Sequence, residues 1–202
     1  MGVDVKTLIR EVITVESQAI QGLLEQIDDR YSAAVDLLEK CEGKAVVVGV
    51  GKSGIIGKKI AASLASTGTP AFFVHATEAV HGDSGMIEET DVAILISNSG
   101  ETAEVLSVIP IIQQIGAKMI SITSNHCSTV ARAAHVSLAY DYEREADHLN
   151  LAPTTSAVLA LVIGDALAVS LSILKGFTDA DFHLYHPGGS LGAQLAEAKV
   201  QK

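Results

Sequence analysis

The chain has 202 residues, is 48% hydrophobic and carries a net charge of −10. That length and apolar content suit one well-filled core with room for an extra helical arm. The acidic balance leaves no basic stripe to displace counterions, which argues against a general nucleic-acid partner.

Trp is absent and aromatics make up 4%, so the core is aliphatic. Gly is frequent (17) and Pro rare (4), as suits a strand–turn–helix protein with many tight turns. Cys41 and Cys127 lie far apart and form no metal pattern. A reduced, cytoplasmic setting is the expectation. The opening MGVDVKTLIR is mixed polar with no clean apolar run after it, so no signal peptide is expected.

Leu8, Val12, Val15, Ala19 and Leu23 recur at helical spacing and predict a long amphipathic N-terminal helix. A second helix is predicted from about Tyr31 to Cys41. Residues 1–43 are thus expected to form a helical arm, packing on the domain or on a neighbouring subunit. The main domain is expected over residues 44–202. Its strands are predicted at Ala45–Val50, Ala71–His75, Val92–Ser97, Lys118–Thr123 and Val136–Tyr140. Helices are predicted from GKSG through about Ser66, from Ala103 with a kink at Pro110, and in short form after Ser128. Leu151 to Leu174 imitates a membrane span, but Asp165 sits in its middle, where a charge is costly in lipid. It is expected to be a helix buried in the protein or at a subunit interface. A Gly-rich turn (His186 to Ser190) and a last helix close the chain. Five aliphatic strands alternating with helices argue an α/β fold, a parallel sheet covered on both faces. Ligands of such sheets bind beyond the carboxyl ends of the strands, near the switch point.

The central stretch is ILISNSGETAE, Ile94 to Glu104. A buried strand stops, Ser97, Ser99 and Thr102 follow around Gly100, and a helix begins. Hydroxyls and unpaired helix N–H groups converge there, which suits a phosphate. Gly49–Gly54, GVGKSG, has the spacing of a dinucleotide turn, but the second strand ends in Phe73, Val74 and His75 instead of an acidic residue. A P-loop is excluded because Val46 stands where its first Gly would be. No nicotinamide is expected. The glycine turn presents Lys52 and Ser53 at the mouth of the sheet. His75 and His81 flank a loop with Glu78 and Asp83. A histidine pair can hold a metal, but no third ligand stands out. Glu143, Glu145 and Asp147 cluster after the fifth strand, and His186 sits in HPGG.

GVGKSG, STGTPAFFVHATEAVHGDSGM, ISNSGETAE, LAPTTS, GDALA and FHLYHPGGSLG, in that order, resemble the sugar isomerase (SIS) domain family. They look more closely like its bacterial arabinose-5-phosphate isomerases. The likeness runs from about Lys44 to Leu195. It implies a five-stranded parallel sheet in an αβα sandwich, a homotetramer and sites shared between subunits. It implies interconversion of D-ribulose 5-phosphate and D-arabinose 5-phosphate without an organic cofactor, feeding synthesis of the sugar acid Kdo for lipopolysaccharide or capsule. The family's catalytic Lys, two Glu and His fall on Lys52, Glu104, Glu145 and His186. Its substrate contacts fall on Ser53, Gly68, Thr69, His75, His81, Ser97, Ser99 and Thr102. In relatives a histidine matching His75 is associated with inhibitory zinc, which is not a cofactor. Many relatives continue into a pair of CBS domains, so the resemblance is to a short form. The family often has Cys-Pro where this chain has Asp147-His148, a departure that touches the loop's shape and not the carboxylate of Glu145.

Aldose–ketose isomerisation moves a proton between C1 and C2 through a cis-enediol, and needs a base and groups that polarise the carbonyl. Glu145 is the expected base, its pKa raised by partial burial, with Glu104 as the alternative. Lys52 is expected to stabilise the enediolate or hold substrate, and His186 to open the furanose ring or shuttle hydroxyl protons. Two rivals stand beside this reading. A sugar-phosphate sensor on the same fold predicts a basic DNA-binding segment, yet residues 1–44 carry more Asp and Glu than Lys and Arg. A heptose- or hexose-phosphate isomerase is the second rival. No membrane partner is expected.

Overall fold

The computed structural model describes residues 4–187. Five strands, β1 (Ala45–Gly49), β2 (Ala71–His75), β3 (Val92–Ile96), β4 (Lys118–Thr123) and β5 (Val136–Ala139), pair in parallel in the order β2-β1-β3-β4-β5. Among the helices are α1 (Val5–Leu24), α2 (Asp29–Glu39), α3 (Gly51–Ser66), α4 (Ala76–Ala79), α5 (Ala103–Ile115), α6 (Thr129–Ala133), α7 (Thr155–Leu174) and α8 (Asp179–Tyr185). The expected last helix, after Ser190, lies outside the described residues.

The strands are near-continuous aliphatic runs because both faces are covered. β1 and β3 are buried along their whole length. Alternation along each strand divides the core in two. Val47, Ile94, Ile96, Ile120, Ile122 and Leu138 pack with α2, α3 and α7. Val46, Val48, Ala93, Leu95 and Met119 pack with α4, α5 and α6 on the opposite face. This is the expected αβα sandwich. The order places the switch point between β1 and β3, whose registers pair Val48 with Leu95.

α7 is apolar over most of its surface, and its one charge, the partly exposed Asp165, pairs with Lys59 of α3. Its glycine, Gly164, lets it approach α3 closely: a Cβ there would strike the side chain of Ile60. Leu159, Ile163, Leu167 and Leu171 are buried, whereas Val169, Ile173 and Leu174 are exposed. α2 sends Tyr31, Ala34 and Leu38 into the core. α1 buries Leu23, packs Ala19 and Ile20 partly against the core, and leaves Val5, Leu8, Ile9, Val12 and Ile13 exposed.

At the amino edge of the sheet, Asp91 is buried (1% exposed) and holds the start of β3 to the start of β1. Its carboxylate accepts the N–H of Lys44 at 2.7 Å and of Glu88 at 2.9 Å, with Lys44 Nζ at 3.5 Å. Three short elements depart from the sequence expectation: α4, a 3₁₀ turn at Asp83–Met86, and α8. α5 runs on through Pro110 to Ile115 as one helix and closes on Gly116 in the left-handed region, φ 92°. Pro110 lies on the exposed face, where the carbonyl freed by its missing N–H can reach water.

Candidate active site

Two helices open on either side of the switch point, at the carboxyl ends of the neighbouring strands β1 and β3. α3 opens at Gly51 (φ 59°) directly after β1, and its N-cap, Val50, has no side chain able to cap. α5 opens after β3, and its N-cap, Thr102, makes no capping hydrogen bond either. The Thr102 hydroxyl is spent elsewhere, 2.7 Å from that of Ser97. Ser97 is buried, and its Oγ also accepts the N–H of Gly100 at 3.0 Å. Ser99 is exposed, with Oγ accepting the N–H of Glu101 at 3.1 Å. As a result the N–H groups of Gly51, Lys52, Ser53, Ala103, Glu104 and Val105 find no acceptor among the described residues. Six free donors at two neighbouring positive helix ends make a strong anion site. Gly100 (φ 67°) is required there, since a Cβ would collide with Ser128.

Lys52 and Glu104 are exposed in the first turns of α3 and α5, and Ser53 is half-buried. His75 ends β2 in register with Gly49, so it stands beside this turn. Its Nδ1 is buried, with no partner among the described residues. His81 is exposed just beyond α4. Among the described residues no three His, Cys, Asp or Glu side chains converge to hold a metal.

Glu145 lies in the loop from β5 to α7 and is 5% exposed. Its Oε2 accepts the N–H of Thr154 at 2.8 Å, the hydroxyl of Thr154 at 3.1 Å and the N–H of Ser156 at 3.1 Å. Its Oε1 accepts one bond, from the Tyr142 hydroxyl at 3.0 Å. The expectation of a raised pKa is therefore corrected. Burial pushes it up, but the Ser156 side chain beside it, the two N–H groups at the start of α7 and the Tyr142 hydroxyl outweigh burial and hold it below the usual carboxylate range. The carboxylate is ionised, with Oε1 the oxygen that keeps acceptor capacity. A cavity of about 390 Å³ opens beside it, lined by Asn98, Ser124, Tyr142, Glu145, Asn150 and Leu151, among others. Of the other two acids, Glu143 is exposed. Asp147 accepts the N–H groups of Leu151 and Ala152, both at 3.1 Å, and so shapes the turn.

Gly68, Thr69 and His186 do not join this group. Gly68 and Thr69 precede β2, at the amino edge of the sheet. Lys175, just past α7, donates to Thr69 Oγ1 at 3.0 Å, and the Phe177 ring covers Gly68. Phe177 in turn stacks on Tyr185. His186 follows, its ring stacked on Phe182 at 4.0 Å and its Nδ1 2.9 Å from the Phe182 carbonyl. About 17 Å, a five-residue strand, separates the two edges. Within one chain the predicted residues thus form two groups.

Two residues that the sequence reading passes over are central. Asn98 donates its amide to the Tyr142 hydroxyl at 3.0 Å, and its Oδ1 accepts the Tyr140 hydroxyl at 3.0 Å. An Asn between two serines at a strand end is a signal that finds the first. Nothing in the local pattern marks Tyr142.

The SIS domain family matches residues 37–170. Arabinose 5-phosphate isomerase KdsD of Pseudomonas aeruginosa is 51% identical over 92% of this chain and 57% of its own length. That of Escherichia coli K12 is 47% identical over 96% of this chain and 59% of its own length. The chain thus spans a little under three fifths of these curated relatives. A solved structure of Escherichia coli CFT073 c3406 in complex with arabinose 5-phosphate superposes with a TM-score of 0.90 at 48% identity, covering 93% of this chain and all of that one. With two thirds of its residues inside the family match and relatives near half identical along almost the whole chain, the chain belongs to the SIS domain family.

Proposed function

We propose that this protein interconverts D-ribulose 5-phosphate and D-arabinose 5-phosphate. The observation that carries the reading is its likeness to the Escherichia coli protein bound to arabinose 5-phosphate, 48% identical along that protein's whole length. The phosphate is held at the paired N-termini of α3 and α5, by the free N–H groups with Ser53 and Ser99. Ser97 and Thr102 brace the turn from beneath. A carboxylate takes the proton from C1 of the ketose, a cis-enediol forms, and the proton returns to C2 while the oxygens exchange theirs. Glu145 is the candidate base, acting through Oε1, and Glu104 is the alternative. Lys52 balances the charge that develops on the enediolate oxygens.

His186, Gly68 and Thr69 enter the site from a second chain. Their distance from Ser97 within one chain, and the exposed apolar faces of α1 and α7, support a site completed in a homotetramer. The enzyme works in the cytoplasm, its product going to Kdo synthesis. His75 offers zinc a place where binding inhibits. The test is an assay of purified protein against pentose, hexose and heptose phosphates. Turnover of ribulose 5-phosphate above the others is expected, and preference for a heptose or hexose phosphate overturns the assignment.

A further inference from the structure

Glu145 is tied in two directions. Three donors from the start of α7 fix Oε2. One donor, the Tyr142 hydroxyl, reaches Oε1. That hydroxyl is itself held by the Asn98 amide, and Asn98 sits between Ser97 and Ser99 in the turn that grips the anion. Asn98 is anchored further: its carbonyl accepts the N–H and hydroxyl of Ser124 at 2.9 and 2.8 Å, and the Thr123 hydroxyl at 3.1 Å. A three-member chain, Asn98 to Tyr142 to Glu145, therefore joins the phosphate turn to the carboxylate.

Cavities lie on both sides of residues 141–144, one shared with Glu145 and one against α1. The strip is tied at its ends, by Gln26 to the backbone of Asp141 at 2.7 and 3.1 Å, by His126 to Asp141 at 3.6 Å and by Arg144 to Glu11 at 3.2 Å, while the Tyr142 ring packs on the core beside Tyr140. The titratable groups around Glu145 are Tyr140 and Tyr142, both pushed up first by burial, with Arg144 donating to Glu145's own carbonyl at 3.3 Å and Asp147 turned onto Leu151 and Ala152. Of these, Tyr142 alone donates to the carboxylate.

We propose that Tyr142, held by Asn98, is a positioning residue for Glu145: its hydroxyl aims Oε1 at the reacting carbons and sets their distance from the bound phosphate. This rests on the isomerase reading above. A fixed carboxylate-to-phosphate distance matters because an enediol transfer needs the base within hydrogen-bond reach of one carbon and then the next.

The test compares the full-length wild type, Tyr142→Phe and Glu145→Gln. Glutamate carboxyl carbons carry ¹³C, and the Glu145 signal is the one absent in Glu145→Gln. Removing a donor to the charged form raises the carboxyl's midpoint, by about one pH unit for a hydrogen bond to a charge. In Tyr142→Phe we expect that rise, an acid limb of kcat/KM moved up with it, kcat down about tenfold or more, and KM within about twofold. An unmoved midpoint overturns the proposal whatever the turnover. A raised midpoint with unchanged kcat and pH profile overturns it too, since the bond then exists without positioning anything. Full turnover by Glu145→Gln overturns the reading beneath the proposal and the proposal with it, and the NMR midpoint tells that failure apart from a missing Tyr142–Glu145 coupling.

Discussion

The hydroxyls of Ser97 and Thr102 are hydrogen-bonded to each other, 2.7 Å apart, under the turn that carries Ser99. Two of this turn's three hydroxyls, those of Ser97 and Thr102, are thus partly committed to the turn itself. Ser99→Ala should raise KM several-fold with little change in kcat, because phosphate contacts are alike in ground and transition states. Ser97→Ala should also lower stability by about 1–2 kcal/mol, through loss of the acceptor for Gly100 N–H. Thr102→Val added to it should cost less than its single effect, as expected for partners in one bond. Steady-state kinetics and urea melts read all three.

Glu145→Gln keeps the side chain's size but cannot take a proton. We expect kcat to fall by ~10²–10⁴-fold with KM within a few-fold. Wild type in D₂O should place deuterium on the reacting carbon, and the variant should lose exchange and isomerisation together. A near-normal Glu145→Gln beside a dead Glu104→Gln would reverse the two roles.

The same carboxylate makes a prediction about acid. Its folded pKa is lowered, after burial has pushed the other way, by donors from α7 and Tyr142. A lowered value stabilises the fold fully above the unfolded carboxylate pKa, about 4.3. That contribution is lost as pH falls through the lower folded value. Wild-type stability should therefore drop below about pH 4.3 with a slope that Glu145→Gln lessens, read by melts across an acid series.

Asp91 supplies a control at the amino edge, far from Ser97 and Glu145 within one chain. Asp91→Ala takes the acceptor from the part-buried N–H groups of Lys44 and Glu88 and should cost about 1–3 kcal/mol. At temperatures where the variant stays folded, kcat and KM should match wild type. A changed KM would show that Asp91 also shapes the Gly68–Thr69 surface offered to the neighbouring chain's site.

Activity should survive exhaustive chelation without added nicotinamide. His75 and His81 lack a third converging ligand among the described residues, and the end of β2 lacks the acid that would hold a ribose. Loss of turnover in EDTA, restored by zinc, would reverse the metal's assigned role.

The strands were legible to within a residue because a sheet covered on both faces writes itself as runs such as AVVVG and VAILI. The short elements were not. α4 has four residues, too few for a helical period. α8 announces itself only through Thr178 and Asp181, a capping box that a search for apolar stripes passes over. The phosphate turn was readable because its parts are adjacent in the chain. The charge state of Glu145 was not, because the donors that settle it come from Thr154 and Ser156, nine and eleven residues on. Burial alone argues one sign, and the fold supplies the other.

α7 leaves the cradle of Glu145 at one edge of the sheet and ends at Lys175, on Thr69, at the other. Twenty residues of unbroken helix make a rod about 30 Å long. A rod of this kind cannot absorb an indel. One residue added or removed turns everything beyond it by about 100° and shifts it by about 1.5 Å. The Gly164 notch would swing away from Ile60, and Phe177, Tyr185 and His186 would be carried off Gly68 together. This segment can therefore change only by substitution.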